Sequence, residues 1–217
     1  MHNFLEIDGI QLQFKEKKIL SAIYIKCETN QVTGLLGKNG QGKSCLMNII
    51  YGTLPCEKSV RFNNVSIVRG HSRPDLLMYL PQFNFIPKIC SLHKVFKHFS
   101  IDYHEFQVSF PEFISRGKFT IGSLSGGERR LVELYVILKS PTQFVMLDEP
   151  FTHLNPIQID KVKALIVTEK KNKGLLITDH MFQHVVDLSD RLYVLTNGQT
   201  YLTKNVQDIE MMGYARL

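Results

Sequence analysis

Apolar and polar residues alternate in several short segments of the first third of the chain, and turn residues separate these segments. Alternation with a period of two residues is typical of strands that have one buried face, and such strands form antiparallel sheets with the other face in water. Asp8-Gly9 is a turn signal between two of the segments. The pattern predicts a small antiparallel sheet with strands at residues 3–7, 10–14 and 21–27, and two further short strands at residues 60–62 and 65–68.

The rest of the chain carries continuous apolar runs that alternate with helical stretches. Leu131, Leu134, Tyr135 and Leu138, for example, recur at helical spacing and fall on one helix face. Buried strands that alternate with helices indicate a parallel sheet covered by helices. Strands are predicted at residues 31–36, 76–80, 144–147, 174–178, 191–195 and up to 202. Helices are predicted at residues 45–51, from 125 onward, at 156–170, at 182–188 and at the end of the chain.

Residues 83–123 have a different character. They contain several aromatic residues, prolines and histidines, and their helical periodicity is poor except near residues 92–99. This composition predicts a compact, partly helical insert between the two halves of the parallel sheet.

Composition places the chain among ordinary soluble globular proteins, with 44% hydrophobic and 21% charged residues in 217. The net charge of +6 is spread along the chain without a long basic block, so nucleic acid is not an expected partner. The four cysteines show no C-x-x-C spacing, which favours reduced thiols in a cytosolic protein. Neither a signal peptide nor an apolar run of about 18–20 residues is found, so the chain itself is not expected to cross a membrane.

The segment GKNGQGKS at residues 37–44 matches the phosphate-binding pattern G-x-x-x-x-G-K-[ST]. It lies between a predicted buried strand and a predicted helix, which is the setting that the pattern requires. In this setting backbone N–H groups bind an anion, Lys43 reaches the β- and γ-phosphates and the Ser44 hydroxyl binds Mg²⁺. The alternative is a glycine-rich turn without a ligand.

Two acidic residues, Asp148 and Glu149, follow the buried strand at 144–147. Ligands of open α/β sheets bind at the carboxyl ends of strands. Asp148 is therefore expected to hold Mg²⁺, and Glu149 to orient or deprotonate an attacking water. A solvated turn with incidental acids is the alternative.

A second glycine-rich helix start occurs in LSGGE at residues 124–128. Ser125 and Glu128 have the spacing of a capping box, which by itself explains the local sequence. The same helix start is also a potential anion site. One chain with two such sites suggests a nucleotide site that is completed between two copies.

Taken together, these motifs resemble the nucleotide-binding subunit of an ATP-binding cassette (ABC) transporter, over roughly residues 3–208. The family's motifs occur in the family's order: GKNGQGKS (Walker A), Gln82 (glutamine loop), LSGGE (signature), FVMLDEP (Walker B) and ITDH with the switch His180. LSGGE is the discriminating motif, since many NTPases share Walker A. The resemblance implies an α/β fold: a P-loop NTPase (RecA-like) core with an antiparallel β-subdomain and a short helical subdomain.

The resemblance also implies roles for individual residues. Phe14 would stack on adenine, unless it is a plain strand core residue. Glu149 would be the general base, Gln82 would contact Mg²⁺ or the water, and His180 would hold the γ-phosphate; a polar strand-end residue and an exposed histidine are the alternatives for the last two. Ser125, Gly126 and Gly127 would close on ATP bound to the opposite protomer. The nucleotide-binding set of Walker A would be Gly37, Asn39, Gly40, Gly42, Lys43, Ser44 and Cys45.

The variants LSGGERR, DEPF and GLLITDH resemble most the ATPase subunits of lipopolysaccharide exporters, and next those of branched-chain amino acid transporters. Two residues depart from the common family pattern. Asn155 stands where the D-loop usually has aspartate, which puts the coupling across a dimer interface in doubt. Glu128 stands where glutamine is commoner, away from the phosphate-binding positions.

The expected protein is thus a single ABC ATPase domain over residues 1–217, with a helical subdomain at 83–134 and a core formed by 1–82 and 135–217. It would bind ATP and Mg²⁺ as a head-to-tail dimer with itself or a paralogue. Residues around 82–100 would contact an integral membrane subunit, which would place the chain in the cytoplasm at the inner face of the membrane. The alternatives are an ABC ATPase that acts on nucleic acid or the ribosome, and a regulatory module with little turnover.

Overall fold

The computed structural model describes residues 3–203 and 208, which contain two β-sheets and six α-helices. The strands are β1 (Phe4–Phe14), β2 (Lys17–Leu20), β3 (Tyr24–Glu28), β4 (Val32–Leu36), β5 (Glu57–Phe62), β6 (Val65–Ser66), β7 (Leu77–Leu80), β8 (Phe144–Asp148), β9 (Gly174–Thr178), β10 (Arg191–Thr196) and β11 (Gln199–Leu202). The helices are α1 (Lys43–Tyr51), α2 (Leu92–His98), α3 (Tyr103–Ser109), α4 (Gly126–Lys139), α5 (Pro156–Glu169) and α6 (Phe182–Leu188). The closing helix predicted after residue 202 lies outside the described residues.

The larger sheet has the order β11-β10-β4-β9-β8-β7, and its strands are parallel except for β11. Every residue of β4, β8 and β9 is buried, as expected of strands with both faces covered, here by helices and, on one face, also by strands β1 and β3. This confirms the prediction of a helix-covered parallel sheet. Because the strands run parallel, their carboxyl ends lie at one edge of the sheet.

The smaller sheet is antiparallel and has the order β2-β1-β5-β6, with β3 also paired to β1. The predicted turn at Asp8-Gly9 is wrong, since β1 runs through it. Gly9 has a φ of 62°, and the pairing with β5 shifts between Asp8 and Gln11. A bulge of this kind bends a strand without ending it. The chain instead turns after Phe14. The strand β2 that follows this turn is not predicted, because its charged residues are typical of a loop.

The segment between β7 and α4 is partly helical, as predicted, and is held together by aromatic residues. The ring of Phe106 lies 4.7 Å from that of Phe113, 4.9 Å from that of Phe96 and 4.8 Å from that of Tyr135 on α4. Aromatic pairs at such distances add to the stability that burial provides. The aromatic composition therefore gives this segment a core of its own that is joined to α4.

Helix α4 continues without interruption from residue 126 to residue 139, and thus across the predicted boundary at residue 134. The division of the chain into a core and a helical subdomain remains a prediction. No helix in the described part of the chain combines the length and the apolar character needed to cross a membrane.

Candidate functional site

Four strands of the larger sheet end at the same edge and deliver the predicted site residues. The Walker A loop follows β4, Gln82 lies two residues after β7, Asp148 ends β8 and Glu149 directly follows it, and His180 lies two residues after β9. Ligand sites of α/β sheets form where such strand ends meet. The fold thus brings together segments that are up to about 140 residues apart in the sequence.

A cavity of about 560 Å³ opens at this edge. Nearly all of its lining residues were predicted from sequence, and Ile19 on β2 is the exception. No local signal identifies Ile19, because only the position of the hairpin in the fold brings it to the cavity. The cavity is lined by Phe14, Ile19, Asn39, Gly40, Gly42, Lys43, Ser44, Cys45, Gln82, Glu149 and His180.

The start of α1 is arranged to receive an anion. Its N-cap is Gly42, with a φ of 98°, and no side chain caps the helix or adds a negative charge to its first turn. The first N–H groups of a helix lack partners within the helix, so these groups are available to a phosphate. A Cβ atom at Gly42 would also lie only 3.0 Å from Ile19 Cγ2, so glycine fits the position for two reasons.

Lys43 is buried, and its ammonium group donates hydrogen bonds to the carbonyls of Gly37 and Lys38. Burial lowers the pKa of Lys43, and the carboxylates of Glu149 and Asp148 oppose this shift. The ammonium therefore lies within the loop and has only neutral hydrogen-bond partners. A phosphate would give it the anionic partner that buried cations normally have.

Asp148 is 1% exposed, and its two carboxylate oxygens differ. Oδ2 accepts a hydrogen bond of 3.1 Å from the Tyr79 hydroxyl, whereas Oδ1 has no hydrogen-bond partner in the part of the chain that the structure describes. Burial raises the pKa of Asp148, and the hydroxyls of Ser44 and Tyr79 oppose this shift. An unpaired buried oxygen beside a serine hydroxyl fits Mg²⁺, which prefers oxygen ligands.

The side chain of Glu149, directly after β8, contacts residues that follow the ends of β7 and β9. Its Oε2 accepts a 3.0 Å hydrogen bond from Gln82 Nε2 and lies 3.5 Å from His180 Nδ1. Thr152 Oγ1 also donates to Oε2, at 3.4 Å. The carboxylate is only 16% exposed, and the cavity lies beside it. These contacts support the predicted grouping of Gln82, Glu149 and His180.

A buried carboxylate that the sequence analysis did not single out lies behind His180. Asp179 is fully buried, and it accepts hydrogen bonds from the backbone N–H groups of Phe151 and Met181, at 3.0 and 2.8 Å. Burial raises its pKa, and these two hydrogen bonds oppose the shift. Its Oδ1 also lies 3.3 Å from His180 Nδ1. Asp179 thereby joins the turn after β8 to the turn after β9.

Two further predictions concern side chains at the edges of the site. Phe14 is 50% exposed beside the cavity, so the alternative that it is a strand core residue is wrong. The capping box at α4 is present, with Ser125 Oγ accepting from Glu128 N and Glu128 Oε2 accepting from Ser125 N. Ser125 and Gly126 are exposed and, like Gly127, do not line the cavity.

Gly127 also has a structural reason to be glycine. A Cβ atom there would lie 2.7 Å from the carbonyl oxygen of His153, which belongs to the turn after β8. The start of α4 therefore packs directly against the predicted D-loop.

The family model described as ABC transporter matches residues 20–152 of the chain, which is more than half of its length. The chain therefore belongs to the ABC transporter family, as an ATP-binding subunit and an ATPase.

Among its relatives, the lipopolysaccharide export system ATP-binding protein LptB of Haemophilus influenzae is 27% identical over 95% of this chain and 92% of its own length. The LptB protein of Escherichia coli strain K12 is 28% identical over 85% of this chain and 83% of its own. A solved ATP-binding subunit of an ABC transporter superposes with a TM-score of 0.81 at 19% identity, covering 97% of this chain and 93% of that one. That similarity confirms the fold.

Proposed function

We propose that this chain is the ATP-hydrolysing subunit of a transporter and that it holds Mg²⁺ and ATP at a head-to-tail interface between two copies, or between one copy and a paralogue. The observation that carries this proposal is the contact of Gln82 and His180 with the Glu149 carboxylate beside the Walker A cavity. Hydrolysis of the γ-phosphate uses a general base or a polar side chain that positions the attacking water, and Glu149, Gln82 and His180 provide such groups at one point.

We assign phosphate binding to the loop after β4. In the proposal, the N–H groups at the start of α1 and the Lys43 ammonium hold the β- and γ-phosphates, and Phe14 and Ile19 flank the base. Ser44 and the unpaired Oδ1 of Asp148 hold the metal ion, which when bound neutralises charge on the phosphates. Phe14, Ile19, Lys43 and Ser44 line the cavity, and the Asp148 carboxylate lies beside the Ser44 hydroxyl.

We assign hydrolysis to Glu149 and the side chains that contact its carboxylate. Its carboxylate accepts the proton of the attacking water, and Gln82 and His180 fix the direction of that carboxylate through their contacts with Oε2. General-base catalysis of this kind depends on position first, because the acceptor oxygen must lie within hydrogen-bond reach of the water.

The signature residues support the dimer part of the proposal. Ser125 and Gly126 are exposed at a helix start where the capping box occupies only the N–H groups of Ser125 and Glu128, yet they do not line the cavity of their own chain. Preorganised donors of this kind stabilise negative charge where they face it. A second copy that places its α4 start over the cavity would supply them.

An apolar groove in the helical segment is the surface that we propose for a membrane subunit. An apolar groove of about 480 Å³ follows Gln82 along the chain and falls within the predicted region 82–100. We propose that an integral membrane subunit docks there and keeps this chain at the cytoplasmic face of the membrane. The relatives are named as parts of an export system, which supports a transport role. The groove is lined by Phe85, Ile86, Pro87, Cys90, Lys94, Val95, His98 and Phe99.

The decisive experiment is steady-state ATP hydrolysis by the Glu149→Gln variant, with ATP binding measured in parallel. We expect turnover to fall by at least about 100-fold, because the general base is lost, while ATP binding persists. Glu112→Gln is the matched control, since Glu112 is an exposed acid in the helical segment. Equal turnover of the wild type and the Glu149→Gln variant would contradict the proposal.

A further inference from the structure

Arg130 is the largest of the fully buried side chains, although it carries a charge. It lies on the second turn of α4 and is 2% exposed. A buried cation is unfavourable unless its donors find acceptors, because water no longer solvates it. The hydrogen bonds of its guanidinium go to three main-chain carbonyls rather than to side-chain carboxylates.

The three carbonyls belong to the two segments that carry the proposed hydrolytic residues. Nη1 donates to Pro81 O at 2.8 Å, and Pro81 directly precedes Gln82. Nη2 donates to Asp148 O at 2.7 Å and to Glu149 O at 2.9 Å. One planar guanidinium thus joins the end of β7 to the end of β8, a task for which its fork of donors is suited.

The backbone of Glu149 needs such support. Its φ is 51°, in the left-handed region, which is strained for a residue other than glycine. Its N–H donates to Thr178 O at 2.8 Å, and its carbonyl accepts from Arg130. The peptide groups on both sides of Glu149 are therefore fixed, and the resulting conformation directs its carboxylate to Gln82 and His180.

The helix that carries Arg130 also begins with the signature residues. Ser125 caps α4, and Arg130 follows little more than one turn later. A rigid helix therefore links the surface that would face a partner's nucleotide to the backbone of the chain's own Gln82 and Glu149.

We propose that Arg130 is a positioning residue that fixes the backbones of Gln82 and Glu149 to the signature helix. The inference rests on the proposed function, in which Glu149 is the general base. Arg130 itself does not line the cavity, so it acts through the residues whose carbonyls it binds.

Two variants test this role. Arg130→Lys keeps the charge, but its single ammonium cannot replace a fork that reaches three carbonyls on two segments. Arg130→Met removes the charge and keeps an unbranched side chain, at a greater risk to folding, so the lysine variant decides if the methionine variant does not fold.

Lys173→Met is the matched control. Lys173 is also a buried cation, 4% exposed, and its ammonium donates to the carbonyls of Leu138 and Ser140 at the other end of α4. Its loss should weaken the fold in a similar way without disturbing the segments that carry Gln82 and Glu149.

The measurements are backbone amide exchange, thermal unfolding, and kcat and KM for ATP on the full chain. We expect both Arg130 variants to exchange faster at residues 80–86 and 147–153, and kcat to fall roughly 10- to 100-fold while KM changes less than about threefold. Lys173→Met should lower Tm by a similar amount, with faster exchange only near residues 138–141 and a kcat close to that of the wild type.

Wild-type exchange and kcat in a folded Arg130→Lys variant would overturn the inference, as would an equal loss of kcat in Lys173→Met. The parallel Glu149→Gln variant separates this failure from failure of the proposed function. If Glu149→Gln retains turnover, the proposed function is wrong. If it loses turnover while the Arg130 variants behave as wild type in both measurements, only the positioning role is wrong.

Discussion

At the scale of single residues, Asp148 shows how one hydroxyl group can orient the carboxylate of a proposed metal ligand. The Tyr79 hydroxyl donates to Oδ2 and leaves Oδ1 without a partner next to Ser44. Asn48 Nδ2 lies 3.5 Å from the same hydroxyl oxygen and helps to orient it. Groups that bind a ligand's other oxygen commonly change metal affinity by an order of magnitude.

We predict that Tyr79→Phe weakens the response to Mg²⁺ more than it weakens the fold. Asp148 Oδ2 would lose its donor, and the carboxylate would be less fixed. The Mg²⁺ concentration for half-maximal nucleotide binding should rise roughly tenfold, while binding of nucleotide without metal is unchanged. Titration of Mg²⁺ against a fluorescent ATP analogue measures this.

Tyr193→Phe is the control for that titration. Tyr193 is 3% exposed, and its hydroxyl accepts a hydrogen bond from Lys26 N, away from the cavity. Both variants lose a buried hydroxyl, but only the change at residue 79 should alter the Mg²⁺ dependence. An unchanged titration in a folded Tyr79→Phe variant would show that Tyr79 does not prepare the ligand.

At the scale of secondary structure, the two helices that flank the turn after β8 begin with complete capping boxes. Ser125 and Glu128 form the box of α4, and Asn155 and Gln158 form that of α5. Asn155 is the D-loop residue where the family usually has aspartate. As an N-cap its side-chain oxygen accepts from Gln158 N at 2.9 Å, so asparagine meets the local structural need.

We predict that Asn155→Asp stabilises the chain by about 0.3–1 kcal/mol, because it keeps the cap and adds a negative charge at a helix N-terminus. Asn155→Ala should destabilise it by about 1 kcal/mol, because the cap is lost. Urea unfolding measures both. Lower stability of the aspartate variant would contradict the capping role.

ATP turnover of the same variants addresses the coupling question. A rise in turnover in Asn155→Asp beyond that of the wild type would indicate that the neutral D-loop residue weakens coupling. Asp102→Ala is the control, since Asp102 caps α3 by accepting from His104 N at 2.8 Å, far along the chain from the D-loop. Its stability should fall while turnover stays near that of the wild type.

At the scale of the whole molecule, the fold gathers one set of the predicted site residues around a cavity and leaves the signature residues on the surface. The cavity gathers the Walker A loop with Gln82, Glu149 and His180, while Ser125 and Gly126 remain on the surface. In the proposed head-to-tail dimer, the cavity of each copy would meet the signature residues of the other. Such an arrangement closes with two-fold symmetry.

This arrangement predicts complementation between two inactive variants. Lys43→Ala removes the phosphate ligand, and Ser125→Arg places a bulky charge at the exposed signature. Each alone should lose turnover, but a mixed dimer contains one intact Lys43 facing one intact Ser125. Mixing equal amounts should restore up to about a quarter of wild-type turnover, since half the dimers are mixed and each has one complete site.

Turnover of the mixture against protein concentration is the measurement, with each variant alone as its control. Turnover that stays at the level of the single variants, while light scattering shows that mixed dimers form, would mean that Lys43 and Ser125 do not share a site.

Local sequence was enough to predict those features that local physics governs. The strands β4, β8 and β9 are short apolar runs, and their burial in a parallel sheet is confirmed. The capping box of α4 depends only on residues three apart. The strand β2 is not predicted because its charged residues are typical of a loop. The bulge at Gly9 is wrongly predicted as a turn because glycine occurs in both bulges and turns.

The family, the order of the motifs and nearly all side chains that line the cavity follow from the amino-acid sequence, because strand-loop-helix patterns are local. Which residues act on one another depends on the folded chain. Oε2 of Glu149 meets Gln82 from 67 residues away, and the Arg130 guanidinium reaches Pro81 from 49 residues away. These contacts follow from the order of strands in the sheet, which hydrogen bonds between distant segments set and which no short pattern contains.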